Sequence, residues 1–210
     1  MVVIVDYGAG NLRSVQRAVE HSGLKPLVTA DPAALRDADA VILPGVGAAA
    51  DTMENLRSRK LVEPVLEFID SGRPFLGVCM GLQALMSGSE ENGWQECLGV
   101  VPGRVKKFVG DLKVPHMGWN QVRYRRPHPV FEGIPDGSNF YFVHSYYCAP
   151  DDADYVLGTT EYGGEFPAVL ARNNWVATQF HPEKSGESGL KLYRNFLVWA
   201  NCLSGAAYAR

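Results

Sequence analysis

Cys79 is flanked by glycines two positions away on either side, in Gly77-Val78-Cys79-Met80-Gly81. This is the G-x-C-x-G form of a nucleophile elbow. A sharp strand-to-helix turn pushes the nucleophile into the open, and neighbours without side chains let strand and helix close around it. The apolar run 75–78 reads as a short strand and the stretch 80–86 as a helix. Cys79 would then stand at a helix N-terminus, where the macrodipole favours a thiolate. Taken alone, the pattern also fits a buried cysteine at a tight turn. A base elsewhere in the chain decides between the two.

Such a base stands far downstream, in Gln179-Phe180-His181-Pro182-Glu183-Lys184-Ser185. His181 and Glu183 are two apart, with a proline holding the segment extended between them, so both project to one side. A carboxylate there can bond one imidazole nitrogen and leave the other to deprotonate a thiol. By itself this triplet also fits a strand-end turn with a surface carboxylate; its force comes from the pairing with the elbow. His144 is the rival base, but its neighbours Phe142, Val143 and Tyr146 mark a structural strand histidine. His21, His116 and His128 have no carboxylate at a useful spacing, and no histidine pair has metal-ligand spacing, so no metal is expected.

Acyl transfer through Cys79 creates an oxyanion that needs two donors. One is the N–H of Met80, just after the nucleophile. The other is expected from Pro44-Gly45-Val46-Gly47, where flanking glycines give the Val46 peptide freedom to turn N–H or C=O inward. That turn alone also fits an ordinary strand-to-helix connection.

Elements must bring these three parts to one place. The first half alternates strand and helix: strands near 2–5, 27–28, 40–43 and 75–78, with helices after the first, a short one capped by Asp31-Pro32, and a helical stretch over 48–69 that Pro64 breaks or restarts. This predicts a mostly parallel sheet with helices on both faces and ligands at the carboxyl ends of its strands, where Asp6, Gly45 and Cys79 all fall. The loop 6–11 fails the dinucleotide fingerprint, which would need glycine at Arg13. From 99 to 180 the chain turns to short alternating strands (104–108, 119–124, 139–146, 155–160, 167–171 and 175–180). Asn173-Asn174 forms a tight hairpin turn between the last two, and mixed or antiparallel pairing is expected. An amphipathic helix over 189–203 closes the chain.

Composition places all this in one soluble domain, 1–210. The hydrophobic fraction is 46% and the charged fraction 20%. A net charge of -3 speaks against a nucleic-acid or acidic-membrane partner. The N-terminal apolar run has no basic flank and stops at Asp6, so it reads as a strand rather than an export signal. The four cysteines, 79, 97, 148 and 202, show no C-x-x-C spacing and read as reduced thiols of a cytoplasmic protein.

The elbow and the distant His181-Pro182-Glu183 together resemble the class I (triad) glutamine amidotransferases. Most of that class carries P-G-G at the oxyanion turn. Pro44-Gly45-Val46-Gly47 instead is similar to the glutaminase subunits of imidazole glycerol phosphate synthases, as are 6–11, 115–120 (PHMGWN) and 141–146 (YFVHSY), a likeness spanning 3–199. The resemblance implies a three-layer, flavodoxin-like α/β fold with an added antiparallel section in the second half. It implies glutamine as substrate, no cofactor, and Cys79, His181 and Glu183 as catalytic residues. Val46, Gly47 and Met80 would form the oxyanion hole, and Gly45, Gln83, Ser145 and Tyr146 would hold glutamine. The partner implied is a (β/α)8-barrel cyclase forming a heterodimer, with ammonia passing between the two subunits. Asn11, Trp119, Asn120, Tyr141 and Lys184 are expected on the docking face, Lys184 pairing with a partner carboxylate or standing solvated. Two other readings are a glutaminase subunit of another synthase, such as the pyridoxal phosphate one, and a catalytically silent binding module of the same fold. Val46 and the Trp119 segment weigh against the first, the intact triad against the second.

Overall fold

The computed structural model describes residues 1–203 of the 210; the tail 204–210, counted in the single-domain expectation, lies outside them. In chain order the elements are β1 (Val2–Val5), α1 (Leu12–His21), β2 (Leu27–Thr29), α2 (Pro32–Arg36), β3 (Ala40–Gly45), α3 (Ala49–Ser58), α4 (Val62–Asp70), β4 (Phe75–Cys79) and α5 (Met80–Gln83). There follow β5 (Met86–Ser89), β6 (Gln95–Glu96), β7 (Val101–Lys107), β8 (His116–Gln121), β9 (Arg123–Tyr124), β10 (Asn139–His144) and β11 (Tyr146–Pro150). The chain ends in β12 (Val156–Glu161), β13 (Glu165–Arg172), β14 (Trp175–Thr178) and α6 (Gly186–Trp199).

An eight-stranded sheet in the order β2-β1-β3-β4-β14-β13-β12-β9 organises the molecule. From β2 to β14 every pairing is parallel; from β14 outward every pairing is antiparallel. Strands buried on both faces read as continuous apolar runs, and β1, β3 and β4 are buried along their whole length. Their side chains alternate between two cores. Val2, Ile4, Ile42 and Leu76 pack with Val15 and Val19 of α1 and Leu192 and Phe196 of α6. Val3, Val5, Val41 and Phe75 pack with Leu35, Met53, Leu56, Val65 and Phe68 of α2, α3 and α4. The result is the three-layer α/β arrangement that the alternating pattern predicts.

Several boundaries depart from the sequence reading. The helix expected over 80–86 ends at Gln83, because Met86 pairs in parallel with Val101 and turns the chain into β5, a strand whose short Ser and Gly residues do not announce it. The break near Pro64 falls at 59–61, where Lys60 takes φ +56, and Pro64 lies in the first turn of α4, where its missing N–H costs no helical bond. The strand read as 139–146 divides at Ser145 into β10 and β11, which join different small sheets: β10 pairs with β8, and β11 pairs with β7 at the edge of the sheet β11-β7-β5-β6. The stretch 119–124 divides likewise at Val122. Asn173 adopts φ +50 in the predicted hairpin, and the last helix begins at Gly186 rather than 189. Among the described residues no helix is long and apolar enough to cross a membrane.

Candidate active site

Three adjacent parallel strands carry the three parts. Gly45 at the end of β3 is in register with Cys79 at the end of β4, and Val78 of β4 with Thr178 of β14, from which the chain runs on to His181. The oxyanion turn, the thiol and the imidazole therefore leave one sheet edge side by side, the edge at which open α/β sheets bind ligands.

Cys79 adopts φ +54 and ψ -104, a conformation that a residue with a side chain takes up only where its surroundings force it. The glycines of the elbow show what does so. A Cβ on Gly81 would overlap the Leu43 carbonyl oxygen of β3, and one on Gly77 would come to 2.8 Å from the Gly81 carbonyl oxygen. Strand and helix close on each other through backbone alone. Since α5 is a single turn, what it offers Cys79 is the N–H groups of its start rather than the dipole of a long helix.

His181 is held from every side. Its Nδ1 lies 2.8 Å from Glu183 Oε1, and the two side chains are 1% and 2% exposed. Its N–H donates to the Tyr141 carbonyl at 2.9 Å, and its own carbonyl accepts from Ser185 Oγ at 2.6 Å. That same Oγ accepts the Tyr141 N–H at 2.9 Å. Tyr193 Oη of α6 donates to the other Glu183 oxygen at 3.5 Å. Among the described residues the buried Nε2 has no hydrogen-bond partner, and Cys79 is close enough to act on the ring. Burial works against a charged imidazole, but the neighbouring Cys79 and then Glu183 outweigh it and push His181 up to about 10. Ordered this way, the imidazole accepts the thiol proton at Nε2 while Glu183 steadies the cation formed.

The oxyanion turn rests on two glycines with different surroundings. Gly47 takes φ +97 with open space around it, and Val46 is 39% exposed, as a mobile peptide needs. Gly45 also serves close approach: a Cβ there would overlap the Tyr7 hydroxyl and crowd Met80.

Val46, Gly47, Cys79, Met80, His181 and Lys184 line a cavity of about 400 Å³, together with Gln83, Ser145 and Tyr146. Gln83 donates through Nε2 to the Tyr146 carbonyl at 3.0 Å and to Gln179 Oε1 at 3.1 Å; Gln179 Nε2 in turn donates to Cys79 Sγ at 3.8 Å. Glu91 in this cavity and Gln179 beside it escaped the sequence reading. Glu91 lines the cavity and accepts the Ala49 N–H at 2.8 Å, with nothing near it in sequence to single it out. Gln179 stands two residues before His181, and that position was its only signal. His144 stays structural, its Nδ1 bonded to the Tyr146 carbonyl at 2.8 Å.

Of the expected docking residues, Trp119 is 57% exposed and meets Tyr141 edge-on at 6.1 Å, while the Lys184 ammonium stands 5.9 Å above the same Tyr141 ring. Asn120 follows Trp119 on β8. Asn11 caps α1, accepting the Ser14 N–H at 3.4 Å, and α1 packs against the turn 182–184. The other cysteines are free.

The chain belongs to the class I glutamine amidotransferases: the model of that family, "Glutamine amidotransferase class-I", matches residues 3–200. Within it the chain is similar to "Imidazole glycerol phosphate synthase subunit HisH" of Syntrophotalea carbinolica, with 52% identity over 203 residues, 93% of this chain and 98% of that one. The proteins of the same name from Dehalococcoides mccartyi (strain CBDB1) and Moorella thermoacetica are 50% and 52% identical, covering 95% and 93% of this chain and 98% and 93% of theirs. A solved structure titled "Crystal structure of glutamine amidotransferase" superposes with TM-score 0.75 at 21% identity, covering 96% of this chain and all of that one. "Structure of PurLQS from Thermotoga maritima" gives 0.74 at 20%, covering 94% and 97%. At that identity the two structures speak for the fold.

Proposed function

We propose that this chain is the glutaminase subunit of an imidazole glycerol phosphate synthase, working as one cytoplasmic domain in a heterodimer with a (β/α)8-barrel cyclase in histidine biosynthesis. The observation that carries the reading is the imidazole of His181, tied at Nδ1 to Glu183 and bare at Nε2 beside an elbow cysteine.

Glutamine enters the cavity with its side-chain amide at Cys79. Glu91 supplies a negative wall for the α-ammonium group, and Gln83, Gly45 and the backbone at Ser145 and Tyr146 hold the head group. His181 takes the thiol proton, and the thiolate forms a bond to the amide carbon. The resulting oxyanion is met by the N–H of Met80 and by the N–H of Val46, in the turn that Gly47 closes. His181 returns the proton to nitrogen as the C–N bond breaks, releasing ammonia and leaving a glutamyl thioester. Water, deprotonated by His181, cleaves the thioester to glutamate and restores the thiol. Ammonia leaves across the face formed by Asn11, Trp119, Asn120, Tyr141 and Lys184 into the cyclase, which makes imidazole glycerol phosphate and an aminoimidazole carboxamide ribotide.

A glutaminase that works without its cyclase wastes substrate, so docking is coupled to the oxyanion turn. With a carbonyl inward the turn repels the intermediate; docking favours N–H inward. Glutamate release is measured for the chain alone, with the cyclase, and with cyclase plus its nucleotide. A rise at each step supports the reading. No hydrolysis in any of the three sinks the assignment, and full activity of the chain alone removes the coupling.

A further inference from the structure

His116 on β8 and His144 on β10 are cross-strand partners, and their rings meet inside the protein with His116 Nδ1 3.0 Å from His144 Nε2. Their bonds have only one consistent direction. The Tyr146 carbonyl can only accept, so His144 Nδ1 carries a hydrogen and its Nε2 is bare. His116 must then donate from Nδ1, leaving its own Nε2 as acceptor for Asn120 Nδ2 at 3.2 Å. Asn120 is itself fixed: Nδ2 also donates to the Glu161 carbonyl at 2.9 Å, and Oδ1 accepts the Gln121 N–H at 2.8 Å. A proton added to either imidazole would face a donor. Burial acts the same way, holding His116 down at about 4 and His144 at about 3.

Packing leaves the rings no room to turn. His116 is stacked between Phe142 at 4.9 Å and Tyr162 at 4.0 Å, and Phe108 meets both imidazoles edge-on. The chain Asn120→His116→His144→Tyr146 therefore starts on the strand that carries exposed Trp119 and ends on a carbonyl in the wall of the catalytic cavity, where Gln83 is the second donor. His144 also lines that cavity, but both its nitrogens are engaged, Nδ1 by the Tyr146 carbonyl and Nε2 by His116.

We propose that His116 and His144 are positioning residues that hold the Tyr146 peptide, and with it the glutamine-binding wall, in register with the Trp119–Asn120 edge. The proposal rests on the reading that this cavity binds glutamine. Two variants of His116 separate positioning from packing. His116→Asn keeps an N–H near the position of Nδ1, while His116→Leu removes the donor and leaves His144 Nε2 bare; both empty part of the aromatic stack. In the complex with the cyclase, His116→Leu raises KM for glutamine about 3- to 10-fold, the size of one net hydrogen bond, while kcat changes less. His116→Asn restores KM to within about 2-fold of the parent, although both variants lose thermal stability. Equal KM values in the two variants would reduce the pair to core packing. Nitrogen-15 imidazole spectra of the unaltered chain test the same claim without a substitution: both rings are neutral at pH 7 with hydrogen on Nδ1. Hydrogen on Nε2, or a charged ring, overturns the chain. If the unaltered complex hydrolyses no glutamine, the substrate reading fails, while the spectra still decide the hydrogen-bond order.

Discussion

Glu183 Oε1 and His181 Nδ1 are 2.8 Å apart, both side chains almost fully buried, and this one bond settles which imidazole nitrogen faces Cys79. A carboxylate buried beside an imidazole fixes the tautomer and stabilises the cation formed when the thiol is deprotonated. Tyr193 behind it, buried and pushed well above its usual range by burial and then by the Glu183 charge, stays a neutral donor.

Replacing Glu183 by Gln keeps the shape and removes the charge. Turnover with saturating glutamine and cyclase falls by up to ~10⁴, with the circular dichroism spectrum unchanged. Stability carries a second signature. Folding raises His181 to about 10, so its contribution is complete below the unfolded value near 6.5 and fades as pH climbs through about 10. Cys79 raises His181 too, and more strongly, so Glu183→Gln keeps part of the rise; in urea titrations the stability advantage of the parent should shrink on the approach to pH 10, and an advantage independent of pH there would contradict the pairing.

Thiol chemistry distinguishes the four cysteines. Burial pushes Cys97 up to about 11, raises Cys148 well above the usual thiol range, and raises Cys202 as well. A glutamine-like diazoketone should label Cys79 stoichiometrically and leave those three untouched, as read by peptide mass. Cys79→Ala abolishes glutamine use but spares ammonium-dependent synthesis by the cyclase complex. Labelling elsewhere with Cys79 free would remove it as nucleophile.

The oxyanion turn is tested at Val46. Proline has no N–H to offer, and loss of one oxyanion donor costs roughly 10²–10³ in turnover. Val46→Pro should keep its low basal rate and lose stimulation by the cyclase. Stimulation equal to that of the parent would place the second donor elsewhere.

Close packing of the elbow predicts a structural failure at Gly81. A Cβ there has only the Leu43 backbone to displace, so Gly81→Ala should lose about 1–3 kcal/mol in denaturant titrations, the cost of an overpacked core. It should also slow turnover, because strand and helix can no longer close under Cys79. Unchanged stability would mean that α5 shifts freely on β3.

Much of the site was legible because its constraints are local. Glycines around Cys79, the proline between His181 and Glu183, and the apolar runs of β1, β3 and β4 each state a backbone requirement within a few residues. What only the tertiary structure decided was adjacency. Nothing near Phe75 or Trp175 says that β4 and β14 pair, yet that pairing brings His181 to Cys79. The helix after Cys79 stops at Gln83 because a distant strand, β7, claims Met86 by pairing, which local preference cannot anticipate. Gly45, read as a source of freedom, is also a point of close approach to Tyr7 and Met80. Glu91, Gln179 and the His116–His144 pair acquire partners only when strands far apart in sequence are laid in register. Local residue types determine which backbone conformations are allowed, whereas the register of distant strands follows from burying two faces of one sheet at once.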